Sequence, residues 1–165
     1  MGVAEVETRK HIQHVSAYLS LCASELLKRG IEHDASKLRE PEASIFDEYT
    51  PRLKGLTYGS VEYYACMKEM QTAINHHQLN NRHHPEFYCS DDNISEMNLF
   101  DLMEMIVDWL AATKRHADGD IYRSIEHNKT RFKISKQVEA LLSNTVHYIT
   151  QKEKKNDPPS TSSTV

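Results

Sequence analysis

From Val6 to Arg29 the sequence keeps a helical beat. His11, Val15, Tyr18, Cys22 and Leu26 follow one another at steps of three or four, and Gly30 is the expected stop. A short polar connection then carries His33 and Asp34. Glu40 to Tyr49 predicts a short helix with Pro41 in its first turn, ended by Thr50-Pro51. Arg52 to Ser60 reads as a basic, glycine-punctuated loop whose last residue can cap the next helix. That helix is expected from Val61 to about Leu79, with Tyr63, Met67, Met70, Ile74 and His77 on one stripe. Asn80 to Glu96 is polar and turn-rich. Leu99 to His116 is the most strongly helical stretch, with Leu102, Met105, Ile106, Trp109 and Leu110 facing inward, and Asp118-Gly119-Asp120 breaks it. Ile121 to Arg131 and Ser135 to about Lys152 predict two further helices, the last with Val138, Leu141, Leu142, Thr145 and Ile149 along one face. The pattern therefore predicts an all-α fold, one domain of five or six helices over residues 1–152, with no strand and no internal repeat. Residues 153–165, ending in PPSTSSTV, have nothing to bury and are expected to be a disordered tail.

Composition narrows this picture only in places. Five glycines and five prolines in 165 residues favour helices over a sandwich or barrel. A net charge of -4 does not indicate a strongly basic face, so duplex nucleic acid is not expected as a partner, although it leaves room for local basic patches. The opening MGVAEVETRKH lacks the apolar core of a signal peptide, and no apolar run is long enough for a membrane span. The cysteines, Cys22, Cys66 and Cys89, are odd in number and share no C-x-x-C spacing, so free thiols in a reducing, cytoplasmic setting are expected. The ten histidines change the picture most, because imidazole is the commonest metal ligand.

Their placement matters more than their number. His11 lies within the first apolar stripe, His33 adjoins Asp34 in a turn, and His76, His77, His83 and His84 crowd the segment HHQLNNRHHPE. Glu104 and Asp108 stand four residues apart, so both carboxylates project from one side of their helix. Such a pair on a helix that also carries the core needs positive charge nearby, either Lys114 and Arg115 or a metal ion. Mixed nitrogen and carboxylate donors suit Mn²⁺, Fe²⁺, Zn²⁺, Co²⁺ or Ni²⁺, one ion or two, and not Ca²⁺. Taken singly, each residue has an ordinary explanation: a core histidine at His11, a capping aspartate at Asp34, solvated loop residues at His83 and His84. Their joint order, H…HD…HH…HH…D, is what predicts a metal site.

That order resembles the HD superfamily of helical metal-dependent phosphohydrolases, in which the HD pair supplies a bridging aspartate. Lys37 in HDASK matches the lysine that often follows the pair. A closer resemblance runs to about Thr145. HIQHV, HDASKL, DEYTPRLKGLTYGS, HHQLNNRHHPE and EMIVDWLAATKRHADGDIYRSIEHNKTRF are similar to a family of small, largely uncharacterised phage and bacterial proteins of HD-like character. The resemblance implies an HD-like helical fold. It puts the first histidine on His11, the histidine pairs on His76, His77, His83 and His84, and the acidic position on Asp108. Helical phase favours His77 over His76. Distance tells against His11 if the first helix is straight. It would lie about 27 Å from Arg29, and the link to His33 recovers at most about 14 Å. The helix must then end early or bend, with His14 as the alternative ligand.

These residues predict a phosphohydrolase acting on a nucleotide or another small phosphoester. Asp34 would bridge the ions, with His11, His33 and Asp108 serving one of them. Glu104 would orient the attacking water. Lys37 would neutralise phosphate, with Lys54 and Arg131 as further candidates, and Ser124, Asn128 and Arg131 would read the rest of a nucleotide from one helical face. The alternatives are a non-catalytic module that binds a nucleotide or protein around a structural metal, and a non-heme di-iron oxygenase. The sequence leaves the oligomeric state open, a homo-oligomer included.

Overall fold

A computed structural model of the chain describes residues 2–57, 60–88, 93–115 and 119–156. Residues 58 and 59 of the Arg52 to Ser60 loop, Cys89, His116, Asp118 and the end of the expected tail, residues 157–165, lie outside the described residues. Among the described residues every regular element is helical: α1 (Val3–Glu32), α2 (Ala43–Lys54), α3 (Val61–Glu69), α4 (Gln71–Asn80), α5 (Asn93–Glu96), α6 (Leu99–Thr113), α7 (Ile121–Arg131) and α8 (Lys136–Asn156). Short 3₁₀ turns cover Ala35–Leu38 and Pro85–Phe87. The all-α expectation holds. The chain forms two compact units, Met1–Phe87 and Tyr88–Val165.

In the first unit several boundaries differ from the expectation. Gly30 does not stop α1, which continues to Glu32. A helical glycine costs only about 1 kcal/mol relative to alanine, too little to end a long helix by itself. Helix α2 starts later than expected, at Ala43, and carries Pro51 inside its final turn. Proline there removes a single ladder bond close to the frayed end, so the helix tolerates it. The single helix expected over residues 61–79 is two, joined at Met70, whose ψ of -1° departs from the helical path. Helix α4 packs on α3 and on both 3₁₀ turns, while α2 packs on α3 and the first turn. Helix α1 buries none of its residues; Ile12, Tyr18, Leu19 and Leu27 remain exposed along it.

The second unit is a three-helix assembly of α6, α7 and α8 in mutual contact, preceded by α5. Asn98 caps α6 by accepting from the amides of Phe100 and Asp101, and the Asp101 carboxylate accepts from the Asn98 amide in return. Asp120 caps α7 by accepting from the amides of Tyr122 and Arg123. Met105, Ile106, Ile125, Leu142 and Val146 fill the interior. Leu102, Trp109 and Leu110 are only half-buried, and Leu141 is exposed. Gly119 sits against the end of α6, where an added Cβ would lie 1.9 Å from the Thr113 carbonyl oxygen. Helix α8 continues past Lys152 to Asn156, so the first residues of the expected tail are helical.

The two units are buried differently. Most buried apolar side chains belong to the second; the first buries Cys66, Met70, Ala73 and Pro85. In the first unit Glu42, His77 and His83 are buried alongside them. Its interior is therefore nearly as much polar as apolar, and buried polar groups hold a fold together only when each is matched by a partner.

Candidate metal centre

Local sequence explains how the donors meet. The chain leaves α1 through His33, and Asp34 takes a left-handed backbone, φ 57°, that caps the first 3₁₀ turn. Aspartate tolerates this conformation better than most residues, and it turns the His33-Asp34 pair sharply. Helix α4 then presents His77 on its buried side. Asn81 closes α4 by donating Nδ2 to the His77 carbonyl at 2.7 Å. A tight turn follows, with the His84 amide donating to the Asn81 carbonyl, and it folds His83 and His84 back toward His77. Ring centroids are 4.3 Å apart for His83 and His84, 4.8 Å for His77 and His84, and 4.5 Å for His33 and His83.

The centre of this cluster is one atom. Asp34 Oδ1 has His77 Nε2 at 3.1 Å, His83 Nε2 at 3.6 Å and His33 Nε2 at 3.7 Å. Asp34, His77, His83 and His84 each offer a donor atom, all within 4.8 Å of one another. Although Asp34 Oδ1 and His77 Nε2 are close, both are buried without a hydrogen bond. A proton on Nε2 would not point along the contact, so the two atoms aim at a shared third point. Ligands about 2.1 Å from one ion stand about 3.0–3.4 Å apart in octahedral or tetrahedral geometry. The observed spacings are those of a cation site, slightly open. The cluster can therefore hold a metal ion.

Electrostatics favour the charged form of the carboxylate. Burial pushes the Asp34 carboxyl up, but the His77 imidazole and the Lys37 ammonium, with His33 beside them, press it well below the usual carboxylate range. Lys37 Nζ donates to Asp34 Oδ2 at 2.5 Å, leaving Oδ1 for the cluster. Behind His77 lies Glu42, wholly buried, which accepts from His76 Nδ1 at 2.7 Å, from His77 Nδ1 at 3.0 Å and from Ser36 Oγ at 3.0 Å.

The structure thus brings together His33, Asp34, Lys37, His77, His83 and His84. His76 turns aside to Glu42. His11 does not arrive. It is exposed on α1, and 22 residues of unbroken helix leave it about 33 Å from His33. His14, the alternative, is exposed on the same helix. Lys54 is exposed at the end of α2. Glu104 and Asp108 are half-buried on α6, in the second unit. Ser124 and Asn128 are half-buried on α7, where Asn128 Nδ2 donates to the Ser124 carbonyl, and exposed Arg131 lies over the Phe132 ring. Sequence reasoning missed Glu42, Ser36 and Asn81. Glu42 and Ser36 lie 34 to 45 residues from the groups they bind across the cluster, and nothing in REPEAS marks a buried acid. The clue available was Asn81 beside a histidine pair, since a short amide at a helix end is built to satisfy local polar atoms.

Cys22 and Cys66 are free thiols, and among the described residues no helix is long and apolar enough to cross a membrane. Compared with known proteins, residues 3–154 match a family model described as a family of unknown function (DUF5662). No curated protein and no solved structure matches the chain.

Proposed function

The chain belongs to the family of unknown function DUF5662, and from that premise we propose that its first unit is a divalent transition-metal centre that hydrolyses a small phosphoester. The observation that carries this reading is Asp34 Oδ1, buried without a hydrogen bond and ringed by imidazole nitrogens of His33, His77 and His83 within 3.7 Å. Several imidazoles with one carboxylate suit Zn²⁺, Fe²⁺, Co²⁺, Ni²⁺ or Mn²⁺ better than the all-oxygen cations. When bound, such an ion polarises a phosphoryl oxygen and makes an adjacent water acidic enough to attack near neutral pH.

The chain's own residues supply the rest. Asp34 and the histidines bind, and the left-handed turn at Asp34 fixes the angle between His33 and its neighbour. Lys37, a third exposed, reaches from Asp34 toward solvent and offers a positive charge to an anionic substrate. An HD-type hydrolase is the class this combination resembles most. Glu104 and Asp108 enter the proposal from the sequence pattern, as a water-orienting base and a further ligand. So do Lys54, Ser124, Asn128 and Arg131 as substrate contacts.

One observation favours a second reading. Among its described residues the first unit buries Glu42, His77 and His83 beside only Cys66, Met70, Ala73 and Pro85, which is the economy of a domain that a structural metal completes. A single experiment separates the two. Protein purified without a metal column is loaded with Mn²⁺, Zn²⁺ or Co²⁺ and given a panel of nucleotides and small phosphoesters. Phosphate release that EDTA abolishes and Asp34→Asn removes is the expected result. Tight metal uptake with no turnover on any substrate favours the structural module instead, and O₂ consumption after Fe²⁺ loading would point to oxidative chemistry.

A further inference from the structure

The adjacent histidines His76 and His77 end on the same carboxylate. Glu42 has no solvent exposure, and its Oε1 accepts from His76 Nδ1 while its Oε2 accepts from His77 Nδ1 and Ser36 Oγ. Three groups surround His77 Nδ1 at 3.0 Å: Glu42 Oε2, Ser36 Oγ and Asn81 Nδ2. The hydrogens among them can be assigned by counting. A carboxylate only accepts, a hydroxyl has one hydrogen and an amide nitrogen has two. Asn81 Nδ2 commits its pair to the His77 carbonyl at 2.7 Å and to Ser36 Oγ at 2.9 Å. Ser36 then passes its own hydrogen to Glu42. A hydrogen of His77 therefore sits on Nδ1, pointing at Glu42, and in the neutral ring Nε2 carries the lone pair, 3.1 Å from Asp34 Oδ1.

We infer that Glu42 is the positioning residue of the cation site: by holding the Nδ1 proton of His77 it aims the Nε2 lone pair at the ion. The inference rests on the metal centre proposed above. It gives neighbouring histidines separate jobs, His77 as ligand and His76 as a clamp on the carboxylate that orients it. A carboxylate behind a metal-bound imidazole fixes the ring and raises its basicity, and losing such a partner weakens binding about 10–100-fold. Glutamine at position 42 has nearly the same shape but carries an amide nitrogen. Set against His77 Nδ1 it would donate, pushing the ring proton onto Nε2 and into the site.

The test uses the full chain and two readouts that do not depend on turnover. In the metal-free wild type, long-range ¹H–¹⁵N spectra of the histidines should show His77 protonated on Nδ1. Zn²⁺ titrated against a competing chelator should then bind Glu42→Gln about 10–100-fold more weakly than wild type, with an altered Co²⁺ absorption spectrum. His76→Ala, which removes the clamp but leaves Glu42 its His77 and Ser36 contacts, should weaken Zn²⁺ binding less than Glu42→Gln does. Folded Glu42→Gln that binds Zn²⁺ as tightly as wild type overturns the inference alone. So does a wild-type His77 protonated on Nε2, a result that stands even where the variant fails to fold. Wild type that takes up neither Zn²⁺ nor Co²⁺ overturns the site, and the inference falls with it.

Discussion

Lys37→Met should move stability and metal affinity in opposite directions. Methionine keeps the unbranched stem and removes only the charge, which now donates to Asp34 Oδ2 at 2.5 Å and lies 5.5 Å from the centre of the Phe46 ring. In the metal-free protein Asp34 would lose its cationic partner. Breaking a fully buried pair costs about 3–5 kcal/mol, but the Lys37 side chain is 32% exposed and Asp34 20%, so about 1–3 kcal/mol is the appropriate range. For a chain of this size that lowers Tm by roughly 2–4 °C per kcal/mol. Metal binding should respond the other way. The ammonium sits on Oδ2 while the ion would bind Oδ1, and at a separation on the order of 6 Å a dication feels a repulsion of about 1.4 kcal/mol even at the dielectric of water. Removing it should tighten Zn²⁺ binding about tenfold. Thermal unfolding of chelator-treated protein and a competition titration measure both halves. Weaker Zn²⁺ binding by a folded Lys37→Met variant would refute the reasoning, since it would mean Lys37 assembles the site and does not merely share its carboxylate.

Two further outcomes follow from the same geometry. Because the Asp34 carboxyl is held below its ordinary value in the folded chain, its contribution to metal-free stability is complete above the unfolded value of about 4 and is lost as pH falls below it. Asp34→Asn should therefore flatten the acid limb of a denaturant-midpoint profile below about pH 4; an acid limb as steep as that of wild type would be the contrary result. Metal should also stabilise a first unit with so little apolar interior. At a free Zn²⁺ concentration about 100 times Kd the gain is about 2.7 kcal/mol, visible as a rise in Tm that EDTA reverses and that His77→Ala lacks.

Much of this molecule was legible before its coordinates. Helix α7 has the bounds its apolar spacing and flanking Asp-Gly-Asp predict, and α6 starts at Leu99, as its apolar period predicts. Strong amphipathic period with a capping residue is a local signal, and local signals survive folding. The failures are long-range or energetically small. Gly30 and Pro51 were expected to break helices, yet each penalty is small enough for a continuing helix to absorb. The break at Met70 has no sequence mark. At the site, the His33-Asp34 pair and the HHQLNNRHHPE segment announced themselves by composition. Glu42 did not, because its value lies in what the fold carries to it. His11 illustrates the reverse error: a histidine on an apolar stripe was read as inward-facing, whereas α1 leaves His11, Val15 and Tyr18 exposed and Cys22 and Leu26 only half-buried.

The central claim, that His77, His83 and Asp34 share one cation, is best tested by anomalous diffraction from crystals grown with Zn²⁺ and measured on both sides of its absorption edge. The account predicts a Zn²⁺ peak about 2.0–2.2 Å from Asp34 Oδ1, His77 Nε2 and a nitrogen of His83. Strong peaks confined to His11, His14 or other surface histidines, with none at Asp34, would contradict it.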